Sequence, residues 1–220
     1  MSNHLSLTSF LSKCILGFLA TLLMGTAISL FLACNLGSDP ITVFLEGFHK
    51  KTGVSVGVTD QFLNLILLVI GFVFNRKAIG IQSVINVFVL VVCIDVPTHF
   101  IKYLNLEELS ILIRLIVILF AQACFGLSFA WMQTFENGMN PMDAIFFRII
   151  KKFHCKYMTI RIIYDGIYLI IGFLLGGIVG VGTILSITTN GFFTEKAKQV
   201  VELLQDGGLK IWMKKQFSQQ

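Results

Sequence analysis

With 220 residues, 55% of them hydrophobic and only 13% charged, the chain exceeds the apolar share of an ordinary soluble domain and carries about half its charge. A mean hydropathy of +0.83 excludes a soluble globular domain and leaves an integral membrane protein. The net charge of +5 then belongs to membrane topology and gives no ground for a nucleic-acid partner.

A hydrocarbon core about 30 Å thick takes about 20 apolar residues per helix. The first such stretch runs from Phe10 to Ala33. Its end, Phe31-Leu32-Ala33-Cys34, has the look of a lipoprotein cleavage site, but the run is longer than a signal core and more spans follow. Next comes Gly37-Ser38-Asp39-Pro40. Asp is a preferred helix N-cap and Pro a preferred first helical residue, so this signature predicts a helix from Pro40 to Lys50, ending in the pair Lys50-Lys51. At 1.5 Å per residue it is roughly 17 Å long, too short to span. Spans from Val58 to Phe74 and from Ile79 to Val96 follow, with Gly80 in the turn between them and Asp95 at the close.

The same parts then recur. A span from Ile111 to Met132 leads into Gly138-Met139-Asn140-Pro141, a short helix from Pro141 to Lys152, spans from Thr159 to Leu175 and Ile178 to Phe193, and a closing Glu195. Gly37 and Gly138 stand 101 residues apart, and sliding the halves by that amount, with one gap near the Gly turn, also pairs Asn64 with Asp165, Gly71 with Gly172 and Asn86 with Ser186. The expected fold is therefore all-α, with six transmembrane helices in two three-helix repeats: residues 1–105, residues 106–195, and a basic amphipathic cytoplasmic tail over 196–220. A surface helix from Thr194 to Lys215 suits that tail.

Basic residues test the count independently, because cytoplasmic loops collect them. With the N-terminus inside, that face holds thirteen of the seventeen Lys and Arg, and the other keeps Lys50, Lys51, Lys102 and Arg114. Both termini are thus expected to be cytoplasmic. Three spans per repeat is an odd number, so the second copy is expected upside down relative to the first.

The five cysteines are scattered without a C-x-x-C pair, and the four histidines fall near loops and span ends, so no metal site or disulfide framework is indicated. Nothing resembles a nucleotide or metalloprotease motif, no nucleophile sits in a recognisable enzyme motif, and neither an enzyme nor a cofactor is expected. What remains are the hinges (Gly37, Pro40, Gly138 and Pro141) and the polar residues within spans, which usually face a bundle interior or a wet cavity. Each hinge helix reads either as a surface helix or as a re-entrant half-helix aiming its N-H groups into the membrane. Asp39 and Asn140 cap those helices; Asn64 and Asp165 are mid-span equivalents, with Asp60 and Arg161 one turn earlier, and Asn86 lies in the third span. Arg161 and Asp165, four residues apart, can pair on one face. Asn64 with Asp165 across the repeats is the alternative constellation. A carboxylate at the first cap suits a cationic or zwitterionic solute better than an anion.

These residues carry a resemblance. The run Gly37-Ser38-Asp39-Pro40 through Thr52-Gly53-Val54-Ser55-Val56-Gly57, the Gly80 turn, Asp95, and Gly138-Met139-Asn140-Pro141-Met142-Asp143 with Gly180-Val181-Gly182-Thr183 resemble the YczE/YyaS/YitT group of bacterial multi-pass membrane proteins, closest to the YczE-like branch. The resemblance covers Phe10 to Glu195. The chain departs from that pattern at Phe153-His154-Cys155 and at Ile41-Thr42. The resemblance implies a bacterial inner-membrane location and little about activity. Inverted duplication, hinge helices and paired polar residues point to a small-solute transporter with Asn64, Asp165, Asp39, Asn140 and Asn86 at a site between the repeats. The alternative is a non-transporting membrane scaffold or regulatory partner, in which the polar and small residues only hold helices together. The expected partners are the lipid bilayer and an unidentified small solute, with homodimerisation left open.

Overall fold

The computed structural model describes residues 7–76, 79, 81–134, 141–155 and 157–205, and among them the secondary structure is entirely helical. The helices are α1 (Leu7–Cys34), α2 (Pro40–Thr52), α3 (Val56–Asn75), α4 (Ile81–Ile101), α5 (Ile111–Thr134), α6 (Pro141–Phe153), α7 (Tyr157–Leu174) and α8 (Val181–Gln205). Four segments, Ile15–Cys34, Val56–Phe74, Val87–Leu104 and Ile111–Met132, are long and apolar enough to cross a membrane. The two remaining expected spans fall on α7 and α8. Gly80, Gly138, Asn140 and the tail beyond Gln205 lie outside the described residues.

One expectation is corrected at the C-terminal end. The stretch from Thr194 does not start a separate surface helix; it continues α8 to Gln205. Ala197 and Val201 are buried there against Ala130, with Leu127 and Trp131 beside them. Val200 and Leu203 of the same stretch stay exposed.

Chain directions follow from side-chain bonds. Ser128 near the end of α5 donates to the Ala20 carbonyl of α1 at 2.6 Å. Arg114 near the start of α5 donates from Nε to the Cys34 carbonyl at 2.7 Å, and from Nη2 as well, capping the end of α1. Helices α1 and α5 are therefore antiparallel. On its other side α1 runs parallel to α4: Gly25 faces Cys93, and Ser29 Oγ lies 3.0 Å from the Ile94 carbonyl and 2.8 Å from Thr98 Oγ1. Helix α5 meets α8 in the same way, with Gly126 against Phe193 and Gly182 against Ile118. Gly25 and Gly126 are 101 residues apart, the offset between the two hinges. Each glycine brings its helix close to the backbone of the helix alongside: a Cβ at Gly25 would collide with the Cys93 carbonyl, and one at Gly126 would crowd Phe193.

The short helices cross over between halves. Helix α2 packs on α7 and α6 packs on α3, so each hinge helix lies against the span that follows the other hinge. Asp39 caps α2 in extended conformation with Pro40 at its first turn, and Gly53 closes it at φ 75° with its N-H on the His49 carbonyl. In α6 the equivalent closing position is His154 at φ 52°, its N-H on the Ile150 carbonyl at 2.8 Å. The break in the Thr-Gly pattern thus leaves the cap in place with a residue that pays a Cβ penalty there.

Helix α2 does not lie flat on a surface. Pro40, Thr42, Val43, Leu45 and Gly47 are buried. Asp39 shares a cavity with Met24 and Ile28, one to three turns back from the end of α1 at Cys34. The linker therefore turns back into the bundle at Gly37, whose φ of +87° and contact with Gly180 leave no room for a side chain. The C-terminal end of α2 emerges beside the end of α1, where Lys50 pairs with Glu46 at 2.8 Å and shares a cleft with Leu32, Asn35 and Lys102. The C-terminal end of α6, with Arg148, Lys151 and Lys152, lies beside Phe74 at the end of α3. Helix α3 is antiparallel to α4, because Gly57 donates to Asp95 at 2.9 Å, so the two lysine pairs sit at opposite ends of the bundle.

Candidate functional site

Where α1 and α5 cross, a cavity of about 60 Å³ lies inside the bundle. That is room for a few waters or one small solute group. Ten of its lining residues fall in pairs 101 residues apart, the offset between the two hinges: Met24 with Phe125, Ile28 with Phe129, Ile41 with Met142, Asp60 with Arg161, and Leu63 with Tyr164. The cavity thus lies at the centre of exchange between the halves. Asp39, Thr42, Leu45, Asn64, Leu67 and Leu90 complete it, all from the first repeat.

The polar groups are held locally. Asp39 is 4% exposed; its Oδ1 accepts from Thr42 Oγ1 at 2.5 Å and its Oδ2 from Thr42 N at 3.4 Å. Asp60 is 5% exposed, and its Oδ2 accepts from Asn64 Nδ2 at 2.8 Å. The same amide reaches the Asp60 carbonyl at 3.0 Å. Arg161 donates from Nε to Asp165 Oδ2 at 3.1 Å and lies 5.5 Å from the centre of the Phe129 ring. Asp165 Oδ1 is buried without a hydrogen-bond partner among the described residues. A chain of ring contacts runs from Phe146 on α6 through Tyr164 and Tyr168 on α7 to Phe44 on α2, with centroids 5.1, 4.4 and 5.1 Å apart. It links the two hinge helices across the cavity wall.

Of the residues expected at the site, Asp39 and Asn64 line the cavity. Asp165 is attached to it through Arg161. Asn64 and Asp165 each take an i,i+4 partner on their own helix, and no hydrogen bond joins them among the described residues. Asn86 falls on α4, and Pro141 opens α6. Ser186 is buried on α8 with its hydroxyl unpartnered among the described residues. The reading of the sequence set Asp60 and Arg161 one turn from the site and did not weigh Tyr164. The signal was present: Asp60 and Asn64 share one helical face, as do Arg161, Tyr164 and Asp165, and Asp60 and Arg161 stand at the repeat spacing. Among the described residues no group of three or more His, Cys, Asp or Glu is arranged to hold a metal.

Residues 11–199 match DUF6198, described as a family of unknown function. An uncharacterised protein of Haemophilus influenzae is 24% identical over 169 residues, covering 77% of this chain and 75% of its own. The uncharacterised protein YyaS of Bacillus subtilis is 26% identical over 185 residues, covering 82% of this chain and 90% of its own. No solved structure matches.

Proposed function

The chain belongs to the DUF6198 family of unknown function, and from that premise we propose that it is a small-solute transporter of a bacterial cytoplasmic membrane. In this reading α1, α3, α4, α5, α7 and the first part of α8 are six spans, arranged as two inverted repeats with both termini inside. The observation that carries it is the pairwise lining of the cavity: five repeat-equivalent pairs of residues meet at one point, with ionisable groups among them. A buried ionisable residue in a membrane bundle is costly, and it usually marks a substrate or ion path. Equivalent helices α1 and α5 packed antiparallel support the inversion, since two parallel copies could not meet that way. Ile163, Ile167, Ile170 and Leu174 form an exposed apolar stripe on α7, which supports counting it as a span facing lipid. Transport would follow from rocking of the repeats about the cavity, each hinge helix moving with the span of the other half that it packs on.

A scaffold or regulatory role draws support from one observation. Asn64 and Asp165 each already take a partner on their own helix, as residues that only hold helices together would.

Thermal unfolding of the purified protein, followed against a panel of metabolites, ions and amphiphiles, separates the two. A ligand that binds the folded state at 100 times its dissociation constant adds about 2.7 kcal/mol. We expect a saturable rise with at least one solute, lost in Asp165→Asn with the protein still folded. A panel that stabilises a control transporter and leaves this protein unmoved would overturn transport in favour of the scaffold.

A further inference from the structure

We propose that the cavity selects a small organic cation, an alkylammonium group, held by Asp60 and Asp39 of the first repeat. The inference rests on the cavity being the solute site and adds the chemistry of what it takes. The charges are unequal. Arg161 is the cation in the lining, and its Nε is committed to Asp165. Asp39 and Asp60 take part in no ion pair among the described residues; their hydrogen-bond donors, Thr42 and Asn64, are neutral. Asp60 is 95% buried and accepts through Oδ2, and among the described residues no donor reaches its Oδ1; the residue lines the cavity. Buried carboxylates without a positive partner are costly, and a cation entering the cavity removes that cost.

The rest of the lining fits an ammonium with a short apolar body. Phe125, Phe129 and Tyr164 bring aromatic rings to the lining, a residue type whose faces attract cations. Met24, Leu67 and Leu90 supply an apolar wall for the methylenes. An anion would meet two carboxyls that take part in no ion pair among the described residues, and the guanidinium in the lining is already shared with Asp165.

The test uses probes of equal length on the purified full chain: propylammonium, propanol, propionate and 3-aminopropionate, all at constant chloride and ionic strength. Unfolding temperature is followed against concentration. We expect a saturable rise with propylammonium and none with propanol or propionate. Asp60→Asn keeps an oxygen for Asn64, and Asp39→Asn keeps a good helix cap; either is expected to weaken the response by about thirtyfold or more, as loss of a buried charge partner does. A saturable response to propanol or propionate, or a stronger one to 3-aminopropionate than to propylammonium, overturns the cation class and leaves a solute site standing. An undiminished propylammonium response in the double variant places the cation elsewhere and also overturns it. No response to any probe, nor to the broad panel, removes the solute site itself. The comparison among probes on the unaltered protein needs no variant to fold.

Discussion

Asp95 and Glu195 each follow a long apolar stretch, yet they do different work. Asp95 accepts from Ser55 Oγ at 2.6 Å and Gly57 N at 2.9 Å, tying α4 to the start of α3, whose first free N-H groups need such partners. Glu195 is exposed on α8. Replacing Asp95 with Ala is therefore expected to remove about 1–3 kcal/mol of stability, and Glu195→Ala to change it by about 0.5 kcal/mol or less. Chemical unfolding of both variants in one detergent checks the pair, and equal losses would contradict the assignment. From sequence the two acids looked alike, because each ends an apolar stretch, and only the position of Ser55 and Gly57 separates them. Asn64 and Asp165 teach the converse lesson. Their 101-residue offset was legible, but an i,i+4 partner is in reach as soon as a helix forms, so each residue bonds within its own helix and no hydrogen bond joins the two among the described residues.

The hinge helices were the most legible elements. Asp39-Pro40 and the closing Gly53 carry a helix start and stop in the residue types themselves, and the observed ends at Thr52 and Phe153 lie one or two residues past those expected. Their depth was not legible. Surface and re-entrant helices have the same caps, and what decides between them is contact with α7 and α3, more than a hundred residues away or in the other half. Gly25 and Gly126 were also passed over, since one glycine within an apolar span has no local signature. The 101-residue spacing was their only mark. Gly25→Leu drives a side chain into the Cys93 backbone and is expected to cost on the order of 3 kcal/mol. Gly166→Leu, at a position with open space around it, is expected to leave the unfolding temperature near that of the unaltered protein. A similar drop in both would mean that the α1–α4 contact is not what holds these helices.

At the scale of the molecule, the two halves share a plan and differ in charge. Positions 101 residues apart hold Asp60 and Arg161, Leu63 and Tyr164, Asn64 and Asp165, so the two halves bring different chemistry to the cavity and its surroundings. Inversion has a direct test in the lysine pairs. With Cys introduced at Lys50 and at Lys152 in a background freed of native cysteines, an impermeant maleimide added to intact cells is expected to label the first, and the second only after the membrane is opened. Labelling of both from one side would rule out inverted copies. The exchange of hinge helices also sets an order in time. On the ribosome, Pro40 precedes Tyr157 by more than a hundred residues, so α2 is made long before α7 exists to receive it. Until then its buried face, with Val43, Leu45 and Gly47, has no final seat. The first half must wait in an unfinished form, and its last contacts close only when the second half arrives. Folding of this protein therefore ends, as its synthesis begins, with its N-terminal half.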